Sequence, residues 1–236
     1  MKKGFTLSEV LITLVVIGVV AAMTIPSMNN NTREMELKSK AIKTYSMLTQ
    51  AMGLATLQGY APVHNTADGD SNNLIQWYDK YLDPHLVSLK KCSDSTATGW
   101  EPLGGCWSGV KVKGLNNLTV ANATVNGIGN GIIQVILNDG TFLNIDGYSQ
   151  LNMNKYFGYE TNKPGIVVFF DVNGAKGPNK LGKDIYVAVY DKGTLAPAYA
   201  SKTDDEADWE CSKHSNQSSY GSGYACLKVL MKKSLK

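Results

Sequence analysis

"MKKGFTLSEVLITLVVIGVVAAMTIPSM", residues 1–28, is a run of leucine, isoleucine, valine and alanine with a single acid, Glu9, near its start. From Val10 to Met28 only Thr13, Gly18, Thr24, Pro26 and Ser27 interrupt the apolar residues. A helix of about 19 residues crosses a hydrocarbon core of about 30 Å, so the stretch reads as a membrane-spanning helix. Lys2 and Lys3 should hold the N-terminus on the cytoplasmic side and place the chain beyond the helix outside. A cleavable secretory signal would share the basic start, the apolar run and the small residues Ala21 and Ala22, but it leaves Glu9 unexplained. An acid costs about 2.5 to 3.5 kcal/mol at the bilayer centre and less near the interface, so a partner has to be found for it. Pro26 should kink the helix or melt one of its turns.

Outward from this segment the pattern changes. Met35, Ile42, Tyr45, Leu48, Met52 and Ala55 recur at helical spacing after a longer first gap, predicting an amphipathic continuation over 29–58 that Gly59 and Pro62 end. Residues 63–127 read as irregular, with one helical candidate in "SNNLIQWYDKYL" (71–82), whose Trp77, Tyr78, Tyr81 and Leu82 look like core. Strand signals begin at Gly131. "IIQVILNDGTFLNI" places two apolar runs around Asn138-Asp139-Gly140, a hairpin signal, and "GIVVFFDVNG" and "KDIYVAVYDKG" add two strands. The predicted fold is α+β: a long N-terminal helix, membrane-spanning over 5–28, against a three- to four-stranded antiparallel sheet in a head over 59–236, one face on the helix.

Four cysteines lie in segments rich in Gly, Ser, Asn and Asp, which suggests disulfides and an oxidising compartment. Three connectivities are open. Pairing neighbours, Cys92 with Cys106 and Cys211 with Cys226, closes loops of about 15 residues, worth about 3 kcal/mol each in the chain-entropy picture, and is the expectation. Zinc, with His214 beside Cys211, is disfavoured because no C-x-x-C pair is present. A formal charge of +3 gives no bulk attraction to nucleic acid, and the lysines of the C-terminal tail read as a solvated end, so no nucleic-acid partner is predicted. The three histidines, His64, His85 and His214, fall in no catalytic motif, and "NGIGNGI" lacks the Lys-Ser/Thr of a phosphate loop, so no enzymatic activity is expected.

The N-terminal residues also carry a resemblance. "KKGFTLSEVLITLVVIGVVAA" resembles the signature of type IV pilins and type II secretion pseudopilins: a basic leader ending in Gly4, then Phe5, Thr6-Leu7 and a Glu five positions after the glycine. The resemblance covers about the first 30 residues and implies a leader of residues 1–4, prepilin peptidase cleavage between Gly4 and Phe5, and N-methylation of Phe5. It further implies inner-membrane storage with a periplasmic head, then polymerisation with other pilin-like subunits on an inner-membrane assembly platform. Glu9 would pair with the Phe5 ammonium of a neighbouring subunit. At about 4 Å and an effective dielectric near 20 the attraction is about 4 kcal/mol before desolvation, so the pair's main value would be register. No cofactor is required for this role. The competing reading is a membrane-anchored periplasmic binding or adhesion module that does not polymerise; a secreted hydrolase with an ordinary signal ranks below both.

"DVNGAKGPNKLGKD", residues 171–184, joins two predicted strands. Similar turns occur in pseudopilin-like proteins, some of which hold calcium in a loop beside the sheet. Asp171, Asn173 and Asp184 could supply hard oxygen ligands. The alternative is a tight turn whose Asp side chains cap backbone amides.

Overall fold

The structure, a computed structural model, describes residues 6–58, 71–107, 110–122, 124–126, 131–191, 193–212 and 221–234, the side chains of 25–30 and Asp191 excepted. Contacts divide the chain into two units, Met1–Leu37 and Lys38–Lys236. One helix, α1 (Leu7–Leu57), contributes to both. Its helical backbone runs through Pro26 with no melted turn, since a proline deletes only one N–H from the ladder.

The second unit is built on a sheet that comprises, among the described residues, seven strands: β1 (Ser88–Ser93), β2 (Glu101–Pro102), β3 (Ile133–Leu137), β4 (Phe142–Tyr148), β5 (Gly165–Asp171), β6 (Ile185–Asp191) and β7 (Thr194–Pro197). The order is β2-β1-β3-β4-β5-β6-β7, antiparallel except for β1 with β2. The expectation of three to four strands is therefore corrected to a mixed seven. The four central strands are the ones whose apolar β-branched runs announce them. Strand β1, "SLKKCS", gives no strand signal because its lysines break the apolar pattern. Lys91 is tolerated there because it pairs with Asp79 and Asp83, each at 3.0 Å, and lies over the Trp100 ring at 5.2 Å. Lys90 pairs with Glu101 at 2.9 Å. The edge strands β2 and β7 are too short to leave a periodic signal, and β7 ends on Pro197, which fits an edge.

One face packs on the helix as expected, but the other face is covered as well, because every residue of β5 is buried. One face carries Val167, Phe169, Val187 and Val189 into a cluster with Phe157, Tyr199, Tyr224 and Val229. Three further helices belong to that layer: α3 (Gln150–Phe157), α4 (Asp204–Glu210) and α5 (Cys226–Ser234). On the opposite face, Trp77 of α2 (Ser71–Tyr81) meets Tyr190 of β6 edge-on, with centroids 5.2 Å apart. Within the second unit, α1 buries Ala41, Thr44, Leu48, Ala51, Met52 and Ala55. The Tyr45 hydroxyl donates to the Leu195 carbonyl at 2.9 Å and Thr56 to the Gly193 carbonyl at 3.3 Å. The stripe is narrower and richer in alanine than the periodicity of large residues implies. Met35 is 71% exposed, and Ile42 and Tyr45 are half-buried.

Phe169 is fully enclosed between Phe157 and Tyr224, at centroid distances of 5.9 and 6.3 Å. Phe169→Ala should lower the unfolding free energy by about 3 to 5 kcal/mol, read from the denaturation midpoint of the detergent-solubilised chain.

Candidate functional site

Two places gather the residues singled out by sequence. At the N-terminus Gly4 and Phe5 lie outside the described residues. Glu9 lies within them, and its carboxylate is engaged in its own chain. Thr6 donates to Glu9 Oε2 from both its backbone N–H and its hydroxyl, each at 2.8 Å, and the Glu9 N–H returns a bond to Thr6 Oγ1 at 3.3 Å. This is a capping box: Thr6 and Glu9 satisfy donors that the first helical turn leaves without partners. Its sequence signal is the T-x-x-E of "TLSE", which adds Thr6 to the candidate residues Gly4, Phe5 and Glu9. The same device recurs at Thr203 and Glu206, which start α4.

Beyond the cap, Leu7–Thr24 is long and apolar enough to cross a membrane and none of it is buried; Leu7 is 78% and Ile12 62% exposed. The hydroxyls inside it are satisfied locally, Thr13 by the Val10 carbonyl and Thr24 by the Val20 carbonyl, each at 2.9 Å. No polar group of those two side chains would need water in an apolar surrounding.

The second place is the loop from Asp171, which ends β5, to Asp184, which precedes β6. Both carboxylates are fully buried. Asp184 acts partly as the turn reading expects, accepting from the Asn179 N–H at 2.8 Å and the Lys180 N–H at 2.7 Å. Asp171 accepts from the Asn173 N–H at 3.0 Å through Oδ1, and the Gly174 N–H also pulls its carboxyl down. A turn does not account for the oxygens left over. Asp171 Oδ2, Asn173 Oδ1 and Asn179 Oδ1 are buried and meet no hydrogen-bond donor. Asn173 Nδ2 donates to the Gly177 carbonyl at 3.3 Å, and the Asn173 side chain also hydrogen-bonds Asp184. Each orphaned acceptor costs about 1 to 3 kcal/mol, and all three are of the kind a hard cation takes.

Electrostatics agree with this geometry. Burial, and then the charge of Asp184, pushes the Asp171 carboxyl up to about 8, and burial also raises Asp184. For Asp171 the shift expresses burial beside a second anion; for Asp184 it expresses burial, opposed by the amides and the Asn173 side chain that bond it. Among the described residues no three His, Cys, Asp or Glu side chains gather in one cluster. In this loop the charges of Asp171 and Asp184 act on each other, and Asn179 is not among the sequence candidates because its neighbours Pro178 and Lys180 make it look like turn filler.

The cysteines form the bridges Cys92–Cys106 and Cys211–Cys226, so no thiolate among them is left for zinc; His214 lies outside the described residues. Beside the second bridge Glu210 is buried and accepts from three successive backbone N–H groups, Gly223 at 2.9 Å, Tyr224 at 3.0 Å and Ala225 at 2.6 Å. It fastens the end of α4 to the start of α5. The C-terminal lysines are not simply solvated: Lys232 pairs with Asp204 at 2.9 Å and Lys228 with the same residue at 3.6 Å. Between α3 and α4 lies a cleft of about 460 Å³ lined by Asn154, Tyr199, Lys202, Asp205 and the half-exposed Trp209.

Residues 1–25 match the family model of the prokaryotic N-terminal methylation motif, the signature of type IV pilins and pseudopilins. That motif and the apolar helix behind it fit membrane anchoring with the head on the periplasmic side. No curated protein and no solved structure matches the chain.

Burial raises the Glu210 carboxyl to about 6 against the pull of the three amides. The folded value lies above the ordinary 4.5, so this group's contribution is largest below about pH 4.5 and falls as pH rises through 6, by roughly 2 kcal/mol. Urea melts should therefore show Glu210→Ala to be costlier at pH 4 than at pH 7 by about that amount. A cost that grows with pH would mean the amides outweigh burial.

Proposed function

We propose that this protein is a pilin-like structural subunit, stored in the inner membrane by its N-terminal helix and polymerised through that helix into a type IV pilus or a type II secretion pseudopilus. The observation that carries the reading is the methylation motif at the head of an 18-residue apolar segment of α1 that nothing among the described residues buries. Such a surface needs lipid before assembly and other copies afterwards. In this reading prepilin peptidase cuts between Gly4 and Phe5, and Phe5 becomes the methylated terminus, directly before the capping residue Thr6. Glu9 then has two sets of donors to choose between, Thr6 of its own chain and the Phe5 ammonium of a neighbour. The second is available only at one stagger, so it sets register in the fibre.

We read the 171–184 loop of the head as a calcium site. Asp171, Asn173, Asn179 and Asp184 would hold the ion through hard oxygens, with backbone carbonyls making up the shell. The support is the set of buried acceptors without donors. Calcium there supplies structural charge compensation, with no reaction attached.

Mass spectrometry of the protein from its native membrane should give a chain starting at methylated Phe5; a start near Met23 would remove the pilin reading. Glu9→Ala should leave insertion and cleavage intact and reduce recovery in sheared fibres about tenfold, the equivalent of about 1.4 kcal/mol per contact. For the loop, calorimetric titration of calcium into the detergent-solubilised chain should give binding heat and a raised Tm, both lost in Asp171→Ala. Absence of both in the parent protein retires the calcium site.

A further inference from the structure

We infer that cation occupancy of the 171–184 loop controls access to the Cys211–Cys226 disulfide and leaves Cys92–Cys106 untouched. The inference rests on the calcium reading of that loop and concerns what the site regulates.

The loop does not end at its own turn. Its backbone at 179–181, positioned by the Asp184 carboxylate through the Asn179 and Lys180 amides, is one side of a junction. The Lys113 N–H donates to the Asn179 carbonyl at 3.1 Å, and the Leu181 N–H donates to the Lys113 carbonyl at 2.9 Å. Lys180 Nζ reaches Asn117 Oδ1 at 2.5 Å. The 113–117 segment in turn holds the chain just before the second bridge. The Leu115 N–H donates to the Ser222 carbonyl and the Asn116 N–H to the Ser222 hydroxyl, each at 3.0 Å.

The loop also touches the bridge directly. A Cβ at Gly182, whose φ is +75°, would overlap the Cys226 sulfur and stand 2.9 Å from the Cys226 Cβ. A Cβ at Gly223, φ +114°, would stand 2.7 Å from the Leu181 carbonyl oxygen. The loop backbone therefore packs straight onto the bridge and the chain beside it, with no side chain of either glycine to absorb a displacement. The first bridge shares none of this. Cys92 lies on β1, three positions from β5 in the sheet order.

Without a cation the two buried carboxylates gain by reaching water, and the loop that must open to let them do so is packed on Cys226, the buried half of a bridge whose Cys211 is half-buried. A cation that binds only the closed loop suppresses this opening by mass action. At a free concentration of 100 times its Kd the open population falls about a hundredfold. Reduction by an external thiol needs an exposed sulfur, so it should slow in proportion for one bridge alone.

The test is timed reduction of the detergent-solubilised full chain by dithiothreitol, in saturating calcium or in chelator, with alkylation and peptide mass spectrometry tracking each cysteine pair. Calcium should slow reduction of Cys211–Cys226 at least tenfold and leave Cys92–Cys106 within twofold. Asn179→Gly, which suits the left-handed backbone there (φ +50°) and spares both carboxylates, should weaken calcium binding and shrink the protection in step. Calcium that binds by calorimetry yet changes neither rate, or slows both bridges equally, overturns this inference and leaves the metal site standing. A chain that binds no calcium overturns the site and the inference together.

Discussion

Strand β5 has no face that water reaches, and most of the head depends on that constraint. Residues 165–171 are buried throughout, so the sheet must be covered twice. The second part of α1 and α2 cover one side; loops and the three short helices after β4 cover the other. A single helix laid on a sheet would leave Val167, Phe169, Val187 and Val189 in water. At about 1.5 to 3 kcal/mol per such side chain, the second layer is where much of the head's hydrophobic stabilisation lies. It is also the layer that both the irregular middle of the chain and its C-terminal segment help to build.

Covering a sheet with loops carries its own difficulty, because loop backbone brings polar groups inward. The head answers with side chains that bond several amides at once. Glu210 takes three successive N–H groups at the start of α5, and Asp184 takes two in the loop between β5 and β6. The cost is buried charge. Glu210 has three donors that offset part of it. Asp171 beside Asp184 does not, and the donorless oxygens around them are what distinguish the 171–184 loop from an ordinary turn. The N-terminal unit obeys a different rule. Over Leu7–Thr24 the side chains face outward, and the Thr13 and Thr24 hydroxyls close on the helix backbone as Thr6 and Glu9 close on each other.

Legibility tracks periodicity. The long helix and the four strands β3 to β6 are readable because they are long, apolar and regular. The continuous "GIVVFF" run also carries the two-sided burial of β5, since alternation would mark a solvated face, yet the run alone does not say what covers the second side. Strand β1 is unreadable for a physical reason: its Lys91 is neutralised by Asp79 and Asp83, which arrive from α2 and the turn after it. The periodicity of α1 points to large side chains, whereas alanines at 41, 51 and 55 let the helix lie close.

By itself the sequence determined the long apolar N-terminal helix, the methylation signature with Gly4, Phe5 and Glu9, the α+β class and the acids at both ends of the 171–184 loop. Those are matters of composition and short spacing, which a chain carries before it folds. Only tertiary structure decided that Asn179 joins Asp171 and Asn173 as a donorless oxygen. Only folding set residues 113–117, the loop and Ser222 into one junction, and laid Gly182 against Cys226. Contacts between residues so far apart in the chain are fixed by how layers close over β5, and no local pattern records that closure.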